Sequence, residues 1–302
     1  MRLCDGHCDT ILKISSGATD FDFSFIDTRL FDGFLQIFAC FCENEEDNVY
    51  TAEEKIKKFL LYIKNFPYVQ IAYTPCHAQK ILSNGGLCVL LALENCSCLG
   101  DDPENLMRFY NLGVRSITLT WNDENHFASG SLCSSGGLKA RGKELILLAE
   151  KLGVLIDVSH LNRQSFYDVL SFGHGKLFAS HSSCHAITPN PRNLTDSQIL
   201  DLFKAGGIVC ACPNPPFISS HGVAAREEFV HHLRHLLTLT GGIGVALGSD
   251  MDGTEHFCQG LKTTLDYYSL SDFLKANDFT DFEIQNIFSC NFERFLSKIP
   301  KK

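Results

Sequence analysis

A TIM-type (β/α)8 barrel, an α/β fold with a C-terminal helical extension, is the fold class this sequence predicts, on three observations. Eight short apolar runs alternate with amphipathic stretches, the order expected of parallel strands joined by right-handed helical crossovers. The 302 residues exceed the ~250 typical of such barrels by enough for modest insertions and a terminal extension. Two neighbouring runs, Val154–His160 and Leu177–His181, each stop on a histidine. Catalytic groups collect at the carboxyl ends of barrel strands.

The first run, Leu3–Asp9, ends in Asp5-Gly6-His7-Cys8-Asp9. His7 and Asp9 are two apart, so a strand sends both to one face, where an imidazole and a carboxylate can bind a divalent ion. The crossover Thr10–Gly33 is weakly patterned and reads as a long loop. Phe34–Phe41 and the amphipathic Ala52–Lys64 follow. The third run, Leu87–Glu94, ends seven largely apolar residues on a carboxylate, which is costly to bury unless something positive meets it. Pro103–Asn111 leads into Val114–Thr120, and Lys139–Leu152 into Val154–His160.

Gly153 and Gly175 precede the two histidine-ended runs, and Asn162–Ser171 between them has apolar residues at helical spacing. The unit reads as strand–helix–strand with an imidazole ending each strand, and two imidazoles on one face can share a metal. Thr195–Ala205, Ile208–Cys212, Ala224–Thr240 and Ile243–Ser249 complete the alternation. The last runs into Asp250-Met251-Asp252-Gly253, with Asp250 at the mouth and Asp252 in the loop. Phe257–Pro300 holds two helical patterns, Thr263–Ala276 and Asp281–Leu296, placed outside the barrel. With no linker or low-complexity segment, residues 1–302 read as one domain.

Each strand-end group has a bland reading when taken alone. His-x-Asp is common by chance, Glu94 could lie just past its strand in water, and Asp-Met-Asp-Gly could be a turn. Together, His7, Asp9, Glu94, His160 and His181 suit a two-metal centre, in which ions ~3.5–4 Å apart share a bridging carboxylate and a bridging hydroxide. Asp250 is then free to move a proton.

The formal charge of −9 argues against nucleic acid or an anionic membrane as partner. The N-terminal Met1–Thr10 enters a polar motif directly, and no run reaches the ~18 apolar residues of a membrane span, so the expected location is the cytosol. The 14 cysteines lie mostly inside apolar runs, as in Cys40/Cys42 and Cys210/Cys212. Reduced thiols used as small buried hydrophobes explain them better than tandem C-x-x-C zinc sites.

The motifs DGHCD, LALEN, GVRSITLTWN, GVLIDVSH, SHSS…RN and GSDMDG, in this order from residue 3 to about residue 296, resemble the membrane (renal) dipeptidase family of zinc peptidases. The resemblance implies a barrel of the metallo-dependent hydrolase kind holding two zinc ions. It assigns His7 and Asp9 to one zinc, His160 and His181 to the other, and Glu94 as the bridge. Arg192 matches an arginine that holds the substrate carboxylate, for which a planar two-pronged donor is suited. Asp250 matches an aspartate near the substrate amine that shuttles the proton. The implied protein is a bacterial-type, cytosolic dipeptidase that attacks its small substrate with a metal-bridging hydroxide and takes dipeptides, L-D dipeptides among them. A homodimer is left open.

Two departures stand out. Trp121 replaces a histidine that, in members such as the renal enzyme, helps hold the scissile carbonyl oxygen. Indole has one N–H donor and cannot exchange protons as imidazole does, and His126, five residues on, is the alternative. Asn95 and Cys96 follow Glu94 where two glycines are usual. Trp121 keeps alive a related binuclear amidohydrolase acting on a lactone, acylamino acid or cyclic amide. A zinc-binding homologue without catalysis is the second rival, and six filled metal and shuttle positions argue against it.

Overall fold

The computed structural model describes residues 1–44, 47–173 and 176–298; Gly175 and Pro300 lie outside them. Among the described residues nine strands form: β1 (Leu3–Cys8), β2 (Phe34–Phe41), β3 (Val69–Ile71), β4 (Leu87–Glu94), β5 (Val114–Thr118), β6 (Leu155–Asp157), β7 (Leu177–Ser182), β8 (Val209–Ala211) and β9 (Val245–Leu247). All but β3 close into a ring in the order β2-β1-β9-β8-β7-β6-β5-β4, completed by the β2–β4 pairing. Every pairing is parallel. The eight ring strands are the eight apolar runs, so the (β/α)8 barrel is formed as the alternation predicts.

The ninth strand had no signal in the sequence. β3 pairs with β4 from Val69↔Leu87 to Ile71↔Val89, along the flank that β5 reaches only at Leu91. It is three residues long and buries only Val69, too little to show as an apolar run. The helix Pro75–Ser83 follows, begun by the Thr74 side chain accepting from the His77 N–H and by a proline in the first turn. The crossover expected to be a loop contains a short helix, Thr10–Ser15, and a single 3-10 turn, Asp27–Leu30. Neither start has a side-chain cap, which is why no start signal was legible there.

Alternation along the strands divides the core in two. Leu35, Ile37 and Ala39 of β2 pack inside the ring with Cys88 and Leu90 of β4, Phe178 of β7, Cys210 of β8 and Ala246 of β9. Phe34, Phe38 and Cys40 face the surrounding helices. The C-terminal helices lie outside the ring, as expected, but the last also closes its amino-terminal end. Phe292 and Phe295 sit 6.3 and 5.6 Å from the Phe178 ring and join the inner cluster.

Small residues keep the inside of the ring narrow. A Cβ on Gly248 would stand 2.0 Å from the Ser180 carbonyl oxygen, so the backbones there meet only because glycine has none. All fourteen cysteines are unpaired, and all but Cys76, Cys133 and Cys290 are buried. Among the described residues no helix is long and apolar enough to cross a membrane.

Candidate metal centre

The ring brings His7, Asp9, Glu94, His160, His181 and Asp250 to one end, and none is more than 8% exposed. His7 and His181 lie within β1 and β7, Glu94 ends β4, and Asp9, His160 and Asp250 follow β1, β6 and β9. His160 and Asp250 have φ of 67° and 60°. Left-handed backbone is costly for residues with a Cβ, and such strain persists where the surroundings enforce it, often at functional sites. At Asp250 the enforcement is visible, since its N–H donates to the His7 carbonyl and the Asp9 N–H donates to the Met251 carbonyl.

Glu94 stands among three imidazoles. Its Oε2 is 3.3 Å from His7 Nε2, and its Oε1 is 3.0 and 3.8 Å from the Nε2 atoms of His160 and His181. Asp9 Oδ2 is 3.3 Å from His7 Nε2. The far nitrogens of two rings are already engaged. His160 Nδ1 lies 2.9 Å from Asn122 Oδ1, an acceptor, so Nδ1 carries the proton. Ser180 Oγ gives its proton to Asp157 and so accepts from His181 Nδ1 at 2.7 Å. Asp157 is held in turn by the Thr118 hydroxyl at 3.0 Å and the Ser180 N–H at 2.9 Å.

Both rings therefore point bare Nε2 lone pairs inward, and these are only 2.8 Å apart. Two lone pairs and a carboxylate oxygen at such distances repel one another unless a cation lies between them. His7 Nε2 and Asp9 Oδ1 are also buried without hydrogen-bond partners. The donor set of imidazole and carboxylate fits a divalent metal. Among the described residues two groups have ligand atoms within 4.8 Å of one another: His7, Glu94 and His181, and His7, Asp9 and Asp250.

Electrostatics agree with this. Burial, with Arg192 adding to it, pulls His160 down to about 4. Burial and the neighbouring His7 hold His181 well below the usual histidine range. Neutral imidazole is the form that binds metal. Burial opposes charge on His7 and Glu94 alike, yet their attraction wins, holding His7 high and Glu94 low. Asp9 is pushed up to about 7 by burial and by the like charge of Glu94. The two carboxylates compete for one imidazolium, a conflict that a divalent ion relieves.

Above these groups is a cavity of about 300 Å³. Leu12, Phe41, Trp121 and Phe217 form its apolar wall, and Asn122, Arg192, Asn214, Asp250 and Asp252 are its polar groups beside the candidate ligands. Trp121 is edge-on to Phe41 at 5.4 Å and 6.3 Å from the His160 ring. His126 is exposed and does not line this cavity. Arg192 is buried, donates from Nη2 to the His181 carbonyl at 3.3 Å, and stacks 5.2 Å from the Phe217 ring. Asn214 Nδ2 donates to Asp250 Oδ2 at 3.2 Å. Burial holds the Asp250 carboxyl above its usual range against the pull of His7.

Asp252, expected in the loop, is buried and clamps the segment after β1. It accepts from the Thr10 hydroxyl at 2.6 Å and the Asp22 N–H at 2.7 Å. Asn95 has φ 66°, a conformation open to glycine and tolerated by asparagine. Its side chain ties Cys42 to the loop that carries Asn125.

Sequence reasoning missed Asn122, Asp157, Ser180 and Asn214. Asp157 and Ser180 had a faint signal, a polar residue inside each histidine-ended apolar run. Asn122 and Asn214 had none.

Over residues 1–301 the chain matches the family described as Membrane dipeptidase (Peptidase family M19). An uncharacterized protein in the pqqA 5' region of Klebsiella pneumoniae is 34% identical over 189 residues, 59% of this chain and 68% of that one. An uncharacterized dipeptidase of Schizosaccharomyces pombe is 30% identical over 224 residues, 72% of this chain and 54% of its own length. The match thus spans about half of the fungal relative. A metallo peptidase from Rhodobacter sphaeroides, solved with a phosphinate mimic of the dipeptide L-Ala-D-Ala, superposes with a TM-score of 0.91 at 22% identity, covering 99% of both chains. Another metallo peptidase, dipeptidase AC, gives 0.91 at 23% identity, covering 99% of this chain and 98% of that one. At such identities the likeness speaks for the fold.

Proposed function

Because the chain belongs to the membrane dipeptidase family, peptidase family M19, we propose that it hydrolyses dipeptides with the help of two divalent ions, zinc in the native enzyme. The observation that carries this reading is the convergence of inward-facing acceptors, His160 and His181 Nε2 at 2.8 Å with Glu94 beside them, beneath a cavity that also presents Arg192 and Asp250. His7 and Asp9 would hold one ion, His160 and His181 the other, and Glu94 both. When bound, such ions polarise a carbonyl and make a water nucleophilic near neutral pH.

The remaining work falls to side chains of this chain. Arg192 anchors the C-terminal carboxylate of the substrate. Asp250, kept within reach by Asn214, carries a proton to the leaving amine. Trp121 and Phe41 give the cavity an apolar side, and a low-dielectric wall strengthens the charge interactions beside it. The Rhodobacter sphaeroides neighbour is bound to a mimic of L-Ala-D-Ala, which supports small dipeptides with a D-residue at the C-terminal position as substrates here.

Metal analysis of purified protein beside a substrate panel tests the reading. The expected result is close to two divalent ions per chain, dipeptide cleavage abolished by a strong chelator, and lower occupancy of both positions in Glu94→Gln. A single ion that survives Glu94→Gln would refute the shared bridge. Turnover of lactones or cyclic amides with no dipeptide cleaved would hand the site to the amidohydrolase reading that Trp121 favours.

A further inference from the structure

A second cavity, about 210 Å³, adjoins the one above the candidate metal ligands and shares His160 and Arg192 with it. Its wall carries Arg163, Arg192 and His185 and no carboxylate. Among the described residues neither arginine has an ion-pair partner within 4.0 Å, since none of the salt bridges involves them. Arg163 also opens the helix Arg163–Phe172, whose amino-terminal end adds partial positive charge. Ser182 Oγ and Arg192 Nε are buried with no hydrogen-bond partner, and the Ser182 side chain is fully buried.

Unmet buried donors are expensive, so this polar void suits an occupant that accepts hydrogen bonds. Arg163 is exposed, but Arg192 is buried; water accepts hydrogen bonds and leaves that buried charge uncompensated, whereas a carboxylate answers both needs.

We propose that this cavity is a subsite for the side-chain carboxylate of an acidic C-terminal residue, so that the preferred dipeptides end in aspartate or glutamate. The inference rests on the dipeptidase reading, in which Arg192 takes the C-terminal carboxylate. The residue bearing that carboxylate then lies against Arg192, and its side chain is the part of the substrate nearest the shared wall. Arg163 and His185 meet the second carboxylate, while Ser182 and Arg192 donate to it or to a water beside it.

The test compares kcat and KM for matched dipeptides ending in Glu or Gln, and in Asp or Asn, for the wild-type protein, Arg163→Gln and Arg163→Lys. Thermal shifts with free glutamate and free glutamine are measured in parallel. The acid should be preferred over its amide by ~10-fold or more, mainly through KM, the usual worth of a charged hydrogen bond. That ratio should collapse in Arg163→Gln and partly return in Arg163→Lys. Equal cleavage of acid and amide by the wild-type protein overturns the subsite and leaves the dipeptidase reading standing. If no dipeptide is cleaved while glutamate still stabilises wild type more than Arg163→Gln, the dipeptidase reading falls and the anion site remains. An equal response of both proteins to glutamate removes the site.

Discussion

At Asp250 the candidate metal ligands and the cavity above them meet, because its carboxylate groups with His7 and Asp9 and is also held by Asn214 at 3.2 Å. Replacing it with Asn keeps the size and the hydrogen-bonding shape but removes the transferable proton. With a shuttle role, metal content stays near normal and kcat falls by ~10²–10⁴, with a smaller change in KM. Loss of an ion in Asp250→Asn would instead make it a ligand. Arg192→Ala should raise KM for dipeptides far more than it lowers kcat. A third residue, His232, lies away from the site. It is fully buried, accepts the Cys184 N–H at 3.1 Å, and is depressed to about 4 by burial. Unfolded histidine titrates near 6.5, so between about 6.5 and 4 the unfolded chain binds the extra proton and stability rises with pH. Urea unfolding of metal-free protein should therefore lose stability as pH falls through that window. His232→Gln should remove part of the slope, and an unchanged slope would dismiss the residue.

The strands show which sequence signals carry and which do not. Ring strands are buried on both faces, so they read as continuous apolar runs, and β2 and β4 were legible from end to end. β3 was not, because three residues with one side chain inside leave no pattern. The same split holds at the site. His7, Asp9, Glu94, His160, His181 and Asp250 were legible because ionisable groups ending apolar strands stand out. Arg192 sits in the loop after β7 and was legible only through the family resemblance. Asn122, Asn214, Asp157 and Ser180 act through partners on other strands and loops. Those partners are chosen by ring order and register, which no local pattern encodes. Register also fixes how closely Gly248 approaches β7. Gly248→Ala would drive a methyl group to 2.0 Å from the Ser180 carbonyl, beside the hydroxyl that orients His181. Overpacking typically costs ~1–3 kcal/mol, so thermal melting should show a clear loss. Metal affinity should fall with it, since Ser180 cannot move without His181. A variant with native melting and native metal content would mean that β7 yields locally.

Across the whole molecule the thiols form one population with a few exceptions. Burial pushes the thiols of Cys88 and Cys210 up, and thiolate is the reactive form. A thiol reagent should count about three groups in the native protein, Cys76, Cys133 and Cys290, and all fourteen after unfolding. A native count near fourteen would contradict the packing. The closure of the barrel by its last helix can be tested in the same way. Phe292→Ala removes a ring from the inner cluster and should cost ~3–5 kcal/mol in urea unfolding, with the metal-bearing end still formed in the fraction that stays folded. Arg2 Nη1 is 3.0 Å from Glu293 Oε2, so the start of the first strand and the last described helix meet on the face opposite the cavity. A tag, a carrier protein or a solid support joined ahead of Met1 would sit behind the barrel, and an immobilised preparation would keep its mouth turned toward the solution.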